Sequence, residues 1–289
     1  MPLLPTADGT RLFYNDWGSG RPVVLIHGWP LDADMWEYQV PDLVAAGYRV
    51  VAYDRRGFGR SDQPAGGYDY DTLADDLAAV MQGLDLEDAT LVGFSMGGGE
   101  VARYLSRHGR DRIRSAMLVA SVTPFLGEAP DNPEGVPGSV FAGMIEELRT
   151  DRPAFLATFG KQFYGAGMLN FQVSSELLAW TSQVAMLASP IATLACVTAF
   201  SQTDFRRDMA AFAVPTMIIH GSSDATVPID KSAELAAGMI PNALYRVYED
   251  APHGLFFTDK HRLNADMLAF LEGGIALASE RKLEGKVLV

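Results

Sequence analysis

Short runs of unbroken apolar residues alternate along the chain with stretches that repeat apolar side chains every three or four positions. Val23-Val24-Leu25-Ile26, Arg49-Val50-Val51-Ala52-Tyr53, Ala116-Met117-Leu118-Val119-Ala120 and Thr216-Met217-Ile218-Ile219 are of the first kind. Apolarity that does not skip alternate positions means burial on both faces, the state of a strand in a parallel sheet covered by helices on either side. Between these runs, Met35–Ala46, Thr72–Gly83, Gly98–His108 and Lys231–Ala237 carry the helical period. Asp71 and Asp230 are the predicted N-caps of the second and fourth. Leu12–Trp17 alternates instead and is predicted to form an antiparallel edge hairpin with what precedes it. The pattern predicts an α/β fold built on a mostly parallel central sheet flanked by helices.

The alternation breaks after Ser121, and from about Pro124 to Asp208 no run reads as a strand. A connector rich in proline and glycine (Pro124, Gly127, Pro130, Pro133, Gly135, Pro137, Gly138) leads into helical segments rich in Phe, Met and Leu. These include Val140–Leu148, Pro153–Phe163 and Leu177–Ala188. The reading is a helical cap, 124–209, inserted between two parts of one core, 1–123 and 210–272, with a tail at 273–289. No internal repeat or low-complexity segment is visible.

The chemistry starts at Gly93-Phe94-Ser95-Met96-Gly97, where the apolar run Ala89-Thr90-Leu91-Val92 turns into a helical pattern. A strand, a G-x-S-x-G turn and a helix make a nucleophile elbow, in which the turn is too tight for flanking side chains and the serine hydroxyl stands exposed. Free N–H groups and the positive end of the helix dipole lie just behind it. Five-residue matches also arise by chance. The strand-to-helix context and the residues downstream raise this one above that background.

A serine hydroxyl is a poor nucleophile at neutral pH and needs a base, itself oriented by a carboxylate. In a fold with this elbow the chain order is Ser, acid, His. Asp224, in the turn His220-Gly221-Ser222-Ser223-Asp224 after Thr216–Ile219, is the predicted acid. His253, in Asp250-Ala251-Pro252-His253-Gly254 after the run Tyr245–Tyr248, is the predicted base. Asp250 and Asp54 are fallback acids, although capping at strand ends also accounts for them. His27 and His220 read as buried imidazoles bonded to backbone, His108 as a cation in the last turn of a helix, and His261 as a polar-face residue. The developing oxyanion needs main-chain donors, predicted to be the N–H of Met96 and the N–H of Trp29 in His27-Gly28-Trp29-Pro30. Removing one such donor typically costs about 3 kcal/mol of barrier.

Composition narrows the setting. With 48% hydrophobic and 20% charged residues the chain is that of a globular protein. Its net charge of −13 argues against nucleic-acid partners, which demand a basic footprint, and against anionic membranes. Cys196 stands alone, so no internal disulfide is possible, and its apolar neighbours read as a core position. The first sixteen residues carry no basic and apolar leader pattern, and no apolar run spans a bilayer. A soluble, cytoplasmic protein is the expectation. No H-E-x-x-H, C-x-x-C or phosphate-binding G-x-x-x-x-G-K-[ST] motif occurs, so neither metal nor cofactor is expected. A serine at the nucleophile position also sets the chain apart from dehalogenases and epoxide hydrolases of this fold, which need a carboxylate there.

Trp17–Gly20, His27-Gly28-Trp29-Pro30-Leu31, Asp54-Arg55-Arg56-Gly57-Phe58-Gly59-Arg60-Ser61-Asp62, Gly93–Gly98 and Ala251–Gly254 together resemble the α/β-hydrolase aryl esterases. These are also called cofactor-free haloperoxidases or non-haem chloroperoxidases. The likeness runs from about residue 6 to residue 271, and the Asp54–Asp62 stretch is its most specific part. It implies a Ser95/His253/Asp224 triad, an oxyanion hole from Trp29 and Met96, and hydrolysis of small, often aryl, esters. It further implies perhydrolysis, in which hydrogen peroxide intercepts the acyl-enzyme and the released peracid oxidises halide. Close relatives include γ-lactamases, so an amide or thioester hydrolase on the same machinery is the alternative. The resemblance implies a small apolar pocket walled by Trp29, Pro30, Val122, Phe159, Phe163, Phe200 and Val227, and a homo-oligomer. Pro30 fixes φ and removes a donor beside the oxyanion loop. It is expected to position the Trp29 carbonyl toward peroxide or, on the plainer reading, to stiffen the turn. The tail, with Arg281, Lys282 and Lys286, extends past the likeness. A frayed end and an oligomer contact are both open for it.

Overall fold

Every residue of Val23–Ile26 and Val50–Ala52 is buried, and their side chains divide between two cores. Val24, Ile26, Val51 and Tyr53 point into one; Val23, Leu25, Val50 and Ala52 point into the other. That alternation on an unbroken apolar run is the signature of a strand covered on both faces. Each fully buried Val, Leu or Ile contributes about 1.5–3 kcal/mol relative to exposure.

The computed structural model describes residues 1–167 and 173–284; side chains beyond 273 are outside that description. Among the described residues eight strands form one sheet: β1 (Leu3–Pro5), β2 (Arg11–Trp17), β3 (Pro22–Ile26), β4 (Arg49–Tyr53), β5 (Ala89–Phe94), β6 (Ile113–Val119), β7 (Thr216–Gly221) and β8 (Leu244–Tyr248). Their order across the sheet is β1-β2-β4-β3-β5-β6-β7-β8. From β4 to β8 the pairs are parallel, while β1 and β2 form the antiparallel edge hairpin that the alternation predicted. Helices α1 (Val40–Ala45), α8 (Leu255–Thr258) and α9 (Lys260–Glu284) belong to the second core through Leu43, Leu255, Leu263 and Met267. Helices α2 (Tyr70–Gly83) and α3 (Met96–His108) belong to the first, through Leu73, Leu77, Val101 and Leu105.

The structure corrects three expectations about where helices start or break. Met35–Ala46 is two elements, a 3₁₀ turn at Ala33–Tyr38 and then α1, because Pro41 has no N–H to continue a single helix and instead starts the second. Helix α2 is capped by Asp69, whose carboxylate accepts from the N–H of Thr72 at 3.0 Å; Asp71 lies inside the first turn and pairs with Arg103. Asp230 caps nothing, since it sits within a 3₁₀ turn, Ile229–Lys231, ahead of α7 (Ala233–Met239).

Between β6 and β7 lie α4 (Gly138–Phe163), α5 (Ser175–Met186) and α6 (Pro190–Gln202). Helix α4 breaks at Asp151 (φ −152°, ψ 81°), two residues before Pro153, so its halves match the two predicted segments. Helix α6 has no counterpart in the sequence reading because its residues are apolar nearly all round, leaving no period to detect. The insertion closes where the N–H of Phe205 donates to the carbonyl of Pro124 at 2.8 Å. Among the described residues no single helix is long and apolar enough to cross a membrane. Helix α9 carries the backbone into the predicted tail as far as Glu284; Lys286 lies outside the described residues.

A buried ionic network ties these layers together. Arg55 pairs with Glu100 on α3, and Glu100 also accepts from the Tyr53 hydroxyl at 2.7 Å. Arg55 further donates to the His27 carbonyl at 2.6 Å and, through its own N–H, to His27 Nε2 at 2.9 Å. Removing one partner of a buried pair strands the other charge. Glu100→Ala is therefore expected to lower the unfolding free energy by about 3–5 kcal/mol in urea titrations, and a loss under about 1 kcal/mol would contradict the role assigned to the network.

Candidate active site

Strand β5 delivers the chain into the elbow, and Ser95 takes φ 53° and ψ −118°. Such a conformation strains any residue with a Cβ and persists where its surroundings over-determine it. They do so here. The Ser95 N–H donates to Val119 at 2.9 Å, and its carbonyl accepts from Gly98 at 3.0 Å and Val122 at 3.3 Å. The flanking glycines are required by space. A Cβ on Gly93 would lie 2.4 Å from the Gly97 carbonyl oxygen, and one on Gly97 would lie 2.5 Å from that of Ile26.

His253 arrives on the loop after β8. A Cβ on Gly221, at the end of β7, would meet the Ala251 carbonyl oxygen at 2.1 Å, so the Asp224 loop and the His253 loop close directly on each other. His253 Nε2 stands 3.0 Å from Ser95 Oγ and Nδ1 stands 2.6 Å from Asp224 Oδ2. An ionised carboxylate only accepts, so Nδ1 carries the proton and Nε2 offers its lone pair to the hydroxyl. Phe94 and Phe163 flank the imidazole with ring centroids at 4.9 and 4.8 Å.

Asp224 is satisfied from all sides. Its Oδ1 accepts from the N–H groups of Thr226 and Val227 at 2.9 and 2.8 Å. Its Oδ2 takes the His253 bond and lies 3.2 Å from His220 Nε2, which also donates to the Val227 carbonyl at 2.8 Å. Burial alone would raise the carboxyl pKa. The two imidazoles outweigh that and hold it well below the usual carboxylate range. The backbone partner expected for His220 is present, and its approach to Asp224 goes beyond that expectation. The H-G-x-x-D spacing was the available signal.

The other candidates are settled by their partners. His27 is buried, with Nδ1 2.9 Å from the Gly28 carbonyl, and burial and the Arg55 cation push its pKa well down. His108 pairs with Asp75, and His261 is exposed on α9. Asp54 accepts from the N–H groups of Ala33 and Arg60 and from the Arg60 guanidinium, and Asp250 is exposed at φ 60°. Cys196 is enclosed, and burial pushes its thiol up to about 12.

Met96 opens α3, so its N–H belongs to the first turn, which has no intrahelical acceptor. Trp29 follows β3 in a loop that lies against the elbow; a Cβ on Gly28 would sit 3.1 Å from Ser95 Cβ. The Trp29 indole is locked by a 3.0 Å bond from Nε1 to the Thr193 carbonyl on α6. A cavity of about 330 Å³ opens over Ser95, walled by Trp29, Val122, Phe159, Phe200 and Val227. That is the lower end of small-molecule sites. Helix α4 adds Phe141, Met144 and Phe155, which the sequence reading did not name. Pro30 and Phe163 do not line this cavity. They border a separate void of about 10 Å³ beside Leu156, and the Phe163 ring is turned edge-on to His253.

Residues 21–260 match the family described as the alpha/beta hydrolase fold. The chain belongs to the α/β-hydrolase family. Within it, the chain is 44% identical over 273 residues to a non-haem chloroperoxidase of Kitasatospora aureofaciens, covering 94% of this chain and 99% of the relative. It is 38% identical to a bifunctional esterase/perhydrolase of Acinetobacter calcoaceticus, covering 94% and 99%. The crystal structure of a bromoperoxidase from Bacillus anthracis superposes with a TM-score of 0.91 at 47% identity, covering 94% of this chain and 99% of that one.

The depressed Asp224 carboxyl of this α/β-hydrolase links its stability to pH. A folded pKa below the unfolded one stabilises above the unfolded value, near about 3.9, and the contribution is lost as pH falls through the folded value. The Tm of the wild type should therefore drop more steeply between about pH 5 and pH 3 than that of Asp224→Asn. Parallel curves in a thermal scan series would contradict the assignment.

Proposed function

We propose that this hydrolase cleaves small, chiefly aryl, carboxylic esters through an acyl-enzyme on Ser95, and that hydrogen peroxide competes with water to release it. The observation that carries the reading is the Ser95–His253–Asp224 chain of contacts, 3.0 and 2.6 Å, at the floor of an apolar cavity. Ser95 Oγ attacks the ester carbonyl while His253 Nε2 takes its proton. The imidazolium so formed is stabilised by Asp224, and the oxyanion is met by the N–H groups of Met96 and Trp29. His253 then protonates the departing alkoxide or phenoxide.

In the second half, water or hydrogen peroxide enters, His253 removes its proton, and the acyl group leaves as carboxylic or peroxycarboxylic acid. No step calls for a cofactor. The peroxide branch is supported by relatives named for both outcomes, an esterase/perhydrolase and several haloperoxidases. The apolar wall suits small neutral acyl and aryl groups, with water and peroxide as the small co-substrates.

Ser95→Ala and His253→Gln should each lower kcat/KM for phenyl acetate by at least about a thousand-fold, and Ser95→Ala should also abolish labelling by a fluorophosphonate. Retained turnover in either variant would contradict the assigned roles. A parallel panel of γ-lactams and acyl thioesters, turned over faster than aryl acetates, would instead favour the amide or thioester alternative. Pro30 borders the oxyanion loop from behind the cavity, so its action on the acyl-enzyme runs through the Trp29 backbone. Pro30→Leu is expected to shift the ratio of perhydrolysis to hydrolysis, measured as peracid against acid from one ester; an unchanged ratio leaves Pro30 as a turn-stiffening residue.

A further inference from the structure

We infer that Met144 is a site of turnover-coupled sulfoxidation, modified by the peroxycarboxylic acid that forms in its own cavity. The inference rests on the perhydrolase branch proposed above.

Three observations carry it. Among the described residues, Met144 supplies the sulfur on the wall of the cavity that holds Ser95. It lies on α4 one helical turn from Phe141 and Glu147, which also face the cavity, and it is half-buried. The other described methionines are elsewhere. Met35, Met81, Met96, Met117, Met209, Met217 and Met267 are enclosed in the core, whereas Met1, Met186 and Met239 are exposed on the surface at 88%, 40% and 42%. Cys196 does not compete, being fully buried with its thiol pushed up to about 12. A cavity of about 330 Å³ keeps a newly released peracid close to every wall before it escapes.

The transfer balances without a further reactant. The thioether sulfur attacks the terminal peroxy oxygen, an S–O bond forms and the O–O bond breaks. The peroxy proton passes to the departing carboxylate. Sulfur loses two electrons, and the peracid is reduced to the carboxylic acid. The product is methionine sulfoxide, a polar group on an apolar wall and one that sulfoxide reductases reverse. Oxidation at this position would weaken binding of apolar esters in proportion to peroxide turnover.

The test uses the full chain with phenyl acetate and hydrogen peroxide in halide-free buffer, and reads sulfoxide at each methionine by peptide mass spectrometry; peracid release is measured by halide oxidation in separate aliquots. With ester and peroxide together, Met144 is expected to be oxidised about ten-fold faster than Met186 and Met239. With peroxide alone, or in Ser95→Ala given both reagents, that order is expected to reverse in favour of the exposed methionines. Peracid release with Met144 oxidised no faster than Met186 and Met239 overturns the inference and leaves the perhydrolase reading standing. Absence of peracid overturns both. Faster Met144 oxidation that persists in peroxide alone also overturns it, since the modification would then owe nothing to turnover.

Discussion

The backbone of Ser95, held at φ 53° and ψ −118°, is the constraint from which the rest of the site follows. An ordinary strand residue would lay its side chain into one of the two cores. The strained turn lifts the hydroxyl out of the sheet toward His253 and leaves the first N–H groups of α3 beneath it. The strain is contained by neighbours on both sides, the bonds to Val119, Gly98 and Val122 and the glycine contacts with Ile26. Sheet order matters for the same reason. Strand β5 lies between β3 and β6, so the loop after β3 that carries Trp29 and the elbow share one edge, and β7 and β8 bring Asp224 and His253 from the other side.

Buried charge does a second job. Arg55 bonds to the His27 carbonyl and to Glu100, and so joins the loop after β3 to α3. The helices between β6 and β7 are tied in by equally specific links. The Gly254 N–H donates to the Phe163 carbonyl at 2.7 Å, and the Trp29 indole to Thr193. The cavity is thus a product of the sheet's loops and these helices together, with Ser95 at its floor and aromatic rings among its walls.

What could be read from the sequence was what short segments decide by themselves. The continuous apolar runs of β3, β4 and β5 imply two-sided burial wherever they sit, and G-x-S-x-G encodes its own turn. The loops holding Asp224 and His253 follow strands in an order that topology repeats. What could not be read depends on partners far along the chain. Helix α6 has no polar stripe because it is enclosed on most sides. Asp69 rather than Asp71 caps α2, since either aspartate fits a local rule. The resemblance places Phe163 in the cavity wall, whereas its ring packs against Phe94, Phe256 and His253. His220 reaches Asp224 across a turn whose shape no periodicity reveals.

The central claim is that the elbow turns Ser95 Oγ into the atom that carries the acyl group. The most direct measurement is acid-quenched rapid mixing with an aryl acetate, followed by mass analysis of the peptide that contains Ser95. The account predicts a burst of phenol approaching one per chain and a single acetyl group on Ser95, which is discharged by water and more quickly by hydrogen peroxide. Full ester turnover with the acetyl group on another residue, or with release of acid that never passes through a covalent adduct, would contradict it.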